Sequence, residues 1–197
     1  MKKQTLILLA VAAIAFGSVS SAFAYYTGEE THTNAVTVGQ NTTTITEKFD
    51  PPTKLKTGEN TYKKTVQITN TGNTDTFIRV FLDVDDDAIR KITVFSGDNR
   101  NSWYSPGDYK DHLPSGWVFV PESNATLGGC YYYTSVVKPG ESTTPLITDV
   151  KTTFPDESSV KPYNILVHEE SIQTYDKHGS LISGNDAWQK AWSEFLN

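Results

Sequence analysis

Lys64-Thr65-Val66-Gln67-Ile68-Thr69-Asn70-Thr71-Gly72-Asn73-Thr74-Asp75-Thr76-Phe77-Ile78-Arg79-Val80-Phe81-Leu82-Asp83-Val84 is the stretch on which the fold turns. Its first six residues alternate polar and apolar, which in an extended chain puts Val66 and Ile68 on one face. The run from Phe77 to Val84 is more continuously apolar and reads as a central strand. Between them, Asn70 to Asp75 is dense in turn formers, so the two strands are expected to pair as a hairpin.

Working outward, the same texture recurs. Ala35-Val36-Thr37-Val38 and, after Gly39, Thr43-Thr44-Ile45-Thr46 lie upstream. Lys91-Ile92-Thr93-Val94-Phe95, Gly116-Trp117-Val118-Phe119-Val120, Cys130 to Val137, Leu146 to Val150 and Tyr163 to Tyr175 lie downstream. Pro51-Pro52, Ser105-Pro106-Gly107-Asp108 and Lys138-Pro139-Gly140-Glu141 punctuate them. About nine short strands with frequent turns predict an all-β antiparallel sandwich or barrel. Strands do not alternate with helices, which argues against a parallel α/β sheet. One short C-terminal helix is expected: Gly184-Asn185 caps it, Asp186 opens it, and Trp188, Ala191, Trp192 and Phe195 form one apolar stripe meant for the sheet.

The first residues have another character. Lys2 and Lys3 precede an apolar run from Thr5 to Phe16, and Ala22-Phe23-Ala24 follows the small-x-small rule. The run is shorter than the roughly 20 residues that span a bilayer. Residues 1–24 are therefore expected to be a cleavable signal peptide, cut by a signal peptidase between Ala24 and Tyr25. That leaves residues 25–197 as a single secreted β-sandwich domain, with no membrane segment after cleavage. The whole chain has 17 Lys+Arg against 23 Asp+Glu, a formal net charge of −6, and loss of Lys2 and Lys3 makes the balance more acidic. That balance argues against nucleic acid or an anionic membrane surface as a partner. The lone cysteine, Cys130, has no internal disulfide partner and is expected to be a small buried residue in a strand, or else a link between subunits.

Motifs for chemistry are not recognised. His168-Glu169-Glu170 lacks the second histidine of a zinc-peptidase helix, and its surroundings read as strand. Asp83-Val84-Asp85-Asp86-Asp87 departs from a calcium loop, with Ala88 where glycine belongs and Val94 at the twelfth position. It reads as an acidic turn ending a strand. There is no glycine-rich phosphate loop and no nucleophile elbow. No catalytic residue, metal ligand or cofactor is therefore assigned. The segment 96–115 is long for a connection, and so is expected to be either functional or poorly ordered. Its Trp103, Tyr104 and Tyr109 are candidates to stack on a sugar, or to fill a cluster of their own.

Four collinear segments resemble the TasA/camelysin-type exported proteins of Gram-positive bacteria. Ala22-Phe23-Ala24-Tyr25-Tyr26-Thr27, running on to Thr33-Asn34-Ala35-Val36-Thr37-Val38-Gly39, is similar to their processing junction and first strand, with Val36 where those proteins carry an aromatic residue. Val66 to Val80 resembles their Asn-Thr-Gly hairpin, and Tyr131-Tyr132-Tyr133 through Leu146 their Lys-Pro-Gly-Glu segment. Ile172-Gln173 and Ala187-Trp188 resemble their last motif. The resemblance implies a jelly-roll-like sandwich, a place in the extracellular matrix or on the cell surface, and often a role as a biofilm fibre subunit. Partners would then be further copies of the chain and other matrix components. Some relatives carry a metallopeptidase label, whose zinc motif this chain lacks. A sandwich leaves edge strands unpaired, and an extended segment from a neighbour can complete one. The released N-terminus suits that role, with residues 25–34 as a donor and Tyr25, Tyr26, Val36 and Val38 as its candidate assembly residues. The alternatives are a monomeric surface module that binds a glycan or host protein through 96–115, and a metal-dependent hydrolase.

Overall fold

Strand β2, Gly58–Asn70, buries every second side chain from Asn60 to Asn70, so the predicted alternation holds over its length. Val66 and Ile68 are wholly buried. The computed structural model that contains it describes residues 40–50 and 52–197. The signal peptide and the candidate assembly residues Tyr25, Tyr26, Val36 and Val38 lie outside the described residues.

Seven further strands are β1 (Thr43–Asp50), β3 (Thr76–Val84), β4 (Thr93–Ser96), β5 (Trp117–Val120), β6 (Cys130–Tyr133), β7 (Ile147–Phe154) and β8 (Ile165–Gln173). They form two four-stranded sheets, ordered β1-β2-β7-β4 and β5-β6-β3-β8, and every pair is antiparallel. The chain passes from one sheet to the other at β2–β3, β3–β4, β4–β5, β6–β7 and β7–β8. This repeated crossing makes the molecule a jelly-roll-like antiparallel sandwich. Gln40–Asn197 is one compact unit.

The expected hairpin at Asn70–Asp75 is corrected by this order. Strands β2 and β3 belong to different sheets, and the turn arches between them. Its polar groups are already engaged elsewhere. Asn70 is fully buried. Its backbone exchanges bonds with Gly140 and Glu141. Its side chain donates to Thr74 O and Val137 O and accepts from Gly72 N. The N–H groups of Thr71 and Gly72 both reach Thr42 O, each at 2.9 Å. A Cβ on Gly72 would stand 2.0 Å from Gln40 O, so only glycine lets β1 start across this turn.

Two apolar clusters result. The larger lies between the sheets, around Val66, Ile68, Val80, Leu146, Val150 and Phe154. The smaller lies outside the second sheet, where the C-terminal helix covers Phe77, Tyr132 and Ile172. Two short helices, α1 (Asp87–Lys91) and α2 (Pro106–Tyr109), precede this one, α3 (Ala187–Leu196). The first two are too short to leave a helical period in the sequence, and so were not expected. The predicted strand at Lys91–Phe95 starts only at Thr93, because Lys91 ends α1. In α3, Trp188, Ala191 and Trp192 are buried as expected, but Phe195 is 64% exposed, so the stripe is covered only in part. No helix among the described residues is long and apolar enough to cross a membrane.

Candidate functional site

Unpaired strand edges are the reactive feature of any sandwich, because each exposes a row of N–H and C=O groups. Four strands here are edges: β1, β4, β5 and β8. Strand β4 is capped, since Phe95 exchanges both backbone bonds with Tyr104 of the following loop. Strand β5 has only four residues. Strands β1 and β8, with eight and nine residues, are the long edges, and they meet along a seam between the sheets.

Backbone parity can be read at the seam. Thr42 O is turned towards β2, so Thr43, Ile45, Glu47 and Phe49 turn their backbone groups outward. Ile172 O accepts from Thr76 of β3, whereas Ser171 O accepts from Asn41 Nδ2 at 2.9 Å. Ile165, Val167, Glu169 and Ser171 therefore face the seam from the other side. At one end the seam is closed by side chains. Thr43 Oγ1 donates to Glu169 Oε2 at 2.7 Å and lies 3.0 Å from Ser171 Oγ, beside the Asn41 bond. At the other end it opens into a cleft of about 230 Å³ lined by Glu47, Phe49, Tyr62, Lys64, Tyr163 and Ile165, among others.

Lys64 is the unexpected member of this cleft. It sits on the inward face of β2 and is only 6% exposed. It pairs with Glu47 across the β1–β2 ladder, and its ammonium lies 4.9 Å from the centre of the Phe49 ring. Tyr62 and Tyr163 share a hydroxyl–hydroxyl bond of 2.7 Å, and burial, reinforced by that bond, pushes the Tyr62 phenol far up. Phe49 remains 51% exposed at the mouth. Sequence reading passed over Lys64 and Glu47. The available signal was a lysine at the inward parity of a clean alternation, which marks either a partnered charge or a break in the core.

The loop 96–115 is folded onto the body of the protein. Asp98 accepts from Ser96 and Ser102, and Arg100 reaches the buried Asp149 at 2.6 Å. Of its candidate binding residues, Tyr109 is corrected to a core residue. It is fully buried, edge-on to Phe95, and donates its hydroxyl to Leu146 O, so it has no face for a ligand. Tyr104 stacks on His112 at 3.9 Å. Trp103 holds Lys151 over its ring at 4.6 Å. The structure does not join the three into one exposed platform.

The acidic run after β3 is engaged residue by residue. Asp83 and Asp87 pair with Arg90, Asp85 binds Asn164, and Asp86 caps α1 while pairing with Lys161. The Lys161 bond and the helix N–H of Ile89 hold the Asp86 carboxyl below its usual range. Among the described residues, no group of His, Cys, Asp and Glu is arranged to hold a metal ion. Cys130 opens β6 half-buried, and burial raises its thiol pKa. His168 lies on β8, as its strand-like surroundings predicted, and is 72% exposed beside Glu170.

The fold and seam together define an all-β sandwich with two long edges that have no strand partner among the described residues. No protein-family model and no curated protein matches the chain.

Proposed function

We propose that this is a secreted structural protein, a subunit of a biofilm-matrix or surface fibre of the TasA/camelysin kind, which assembles through strand edges and a freed N-terminus. The observation that carries the reading is the pair of long edges, β1 and β8, whose outward backbone groups have no strand partner among the described residues. In soluble monomers such edges are blunted, shortened or covered. Here β4 is capped and β5 is short, whereas β1 and β8 keep eight and nine residues and are bridged to each other by side chains at the Asn41–Ser171 end of the seam. The exposed apolar side chains Phe49 and Leu166 lie on the same two strands.

In this reading the chain is exported, a signal peptidase cuts after Ala24, and the new N-terminus at Tyr25 becomes available only outside the cell. The extended segment carrying Tyr25, Tyr26, Val36 and Val38 then adds to a neighbouring sandwich by strand addition, with backbone bonds supplying affinity and alternate side chains supplying fit. Other matrix components are the natural further partners, at the cell surface or in the extracellular matrix.

The test is negative-stain microscopy of the chain starting at Tyr25, beside the same chain with a blocked, extended N-terminus. Filaments from the first and not the second are expected. Monodisperse monomers from both, across concentration and pH, would overturn the fibre reading.

A further inference from the structure

Lys64 and Glu47 are a poorly served ion pair. Lys64 lies at the inward parity of β2 and is 6% exposed. A charged ammonium carries three donors. Among the described residues its single hydrogen-bond acceptor is Glu47, and the face of the Phe49 ring lies beneath it at 4.9 Å. In the β1–β2 register Phe49 stands opposite Lys64 and Glu47 opposite Val66, so Glu47 reaches Lys64 along a diagonal of the ladder.

The hydroxyls of the cleft do not serve the carboxylate. Thr93 donates its one proton to Ile89 O, so Thr152 donates to Thr93, Tyr163 to Thr152 and Tyr62 to Tyr163, at 2.8, 2.9, 2.7 and 2.7 Å in turn. Every proton in this file is spent within it, and none is left for Glu47. The carboxylate therefore depends on Lys64 alone among the described residues. A pair with so few hydrogen bonds, one member of it buried, carries a desolvation cost that its own attraction does not recover. It sheds both charges by passing one proton from Nζ to the carboxylate, which leaves a neutral amine against a neutral acid.

We infer that Lys64 and Glu47 are joined by an amide bond, a covalent cross-link between β1 and β2. The step balances without a co-reactant. After the proton transfer, Nζ attacks Cδ of Glu47 and the N–C bond forms. The C–O bond to the protonated oxygen breaks. The leaving hydroxide takes one of the two protons remaining on nitrogen and departs as water. Nothing is oxidised or reduced. The Glu47 side chain is 35% exposed, so the water leaves through the mouth of the cleft. Held in contact by the ladder, the two groups react within one molecule and need not be brought together from solution.

The bond falls on a weakly anchored strand. No residue of β1 is buried, and β1 is a sheet edge held by its ladder to β2 and by the side chains at the Asn41–Ser171 end of the seam. Residues 25–38, which the fibre reading gives to a neighbouring subunit, lead into it along the chain. A pull on such a joint reaches β1 first. The cross-link passes that load to β2, which is paired on both sides. The bond itself does not depend on the fibre reading; its mechanical role does.

The experiment is intact-mass spectrometry of the purified, folded chain starting at Tyr25, followed by tryptic mapping. The mass is expected to fall short of the sequence mass by one water. Trypsin should fail to cut after Lys64, and residues 25–48 should appear joined to residues 64–79. Glu47→Ala and Lys64→Arg chains are each expected at full mass, with no joined peptide. The unsubstituted chain at full sequence mass would overturn the bond, whether or not filaments form. A missing water mapped to any other peptides would overturn it as well. Cross-linked chains that stay monomeric would keep the bond and remove the fibre reading.

Discussion

At the scale of single residues, Asn70 does more than its place in a turn motif announces. Its side chain carries three hydrogen bonds inside the arch, and one of its acceptors, Val137 O, is buried. Asn70→Ala removes two donors at once, and we expect a loss of about 1–3 kcal/mol in urea unfolding, the cost of leaving such groups unpaired. An unchanged midpoint would mean that water replaces the amide. Tyr109 makes the complementary case. Tyr109→Phe deletes only the hydroxyl that serves Leu146 O, so we expect a loss of about 1–2 kcal/mol, with no change in any surface property. Neither role was legible in sequence. An asparagine in a turn and a tyrosine in a polar loop look the same whether their partners lie three residues away or dozens, and these partners are 67 and 37 residues distant.

At the scale of elements, α3 stands out. It is ten residues long, and its N-cap Asp186 makes no side-chain capping bond. A helix of that length is marginal alone. It is held by Trp188 and Trp192 against Tyr132, with ring centres 5.1 and 5.9 Å apart, and by Arg79, whose guanidinium lies 4.5 Å from the centre of the Trp192 ring. Trp192→Ala should therefore cost about 3–5 kcal/mol and release the helix, seen as faster amide exchange across 187–196 and slower change in the sheets. Uniform protection of the helix after that substitution would show that it stands without its anchor. The stripe predicted this docking because 3.6-residue periodicity is local. Phe195 stays outside, edge-on to Trp192 at 5.8 Å, an outcome that no period records.

At the scale of the whole molecule, charge and burial set the pH range. Bonds from Lys161 to Asp86, from Ser102 N–H to Asp98, from Lys110 to Glu122 and from Ser180 N–H to Asp176 hold these carboxyls below their ordinary values. Each folded-state pKa is lower than the unfolded one, so the stabilisation is present above about pH 4 and is lost as acid takes the pH down through the folded values. Burial raises the Tyr62, Tyr109 and Tyr131 phenols, so only the unfolded chain ionises there as pH passes about 10. Melting temperature should therefore form a plateau that falls on both sides, and a profile flat from pH 3 to 11 would contradict these pairings. The sequence by itself determined where most of the described strands fall, the terminal helix and the acidic charge balance, because alternation, turn residues and charge are written in neighbours. It left sandwich and barrel open, and it mistook the arch after β2 for a hairpin. Tertiary structure decided which strands pair, that β1 and β8 remain open, and that Glu47 meets Lys64 across the ladder. Those outcomes depend on contacts between residues far apart in the chain, where register and strand length are fixed by packing and not by any local pattern.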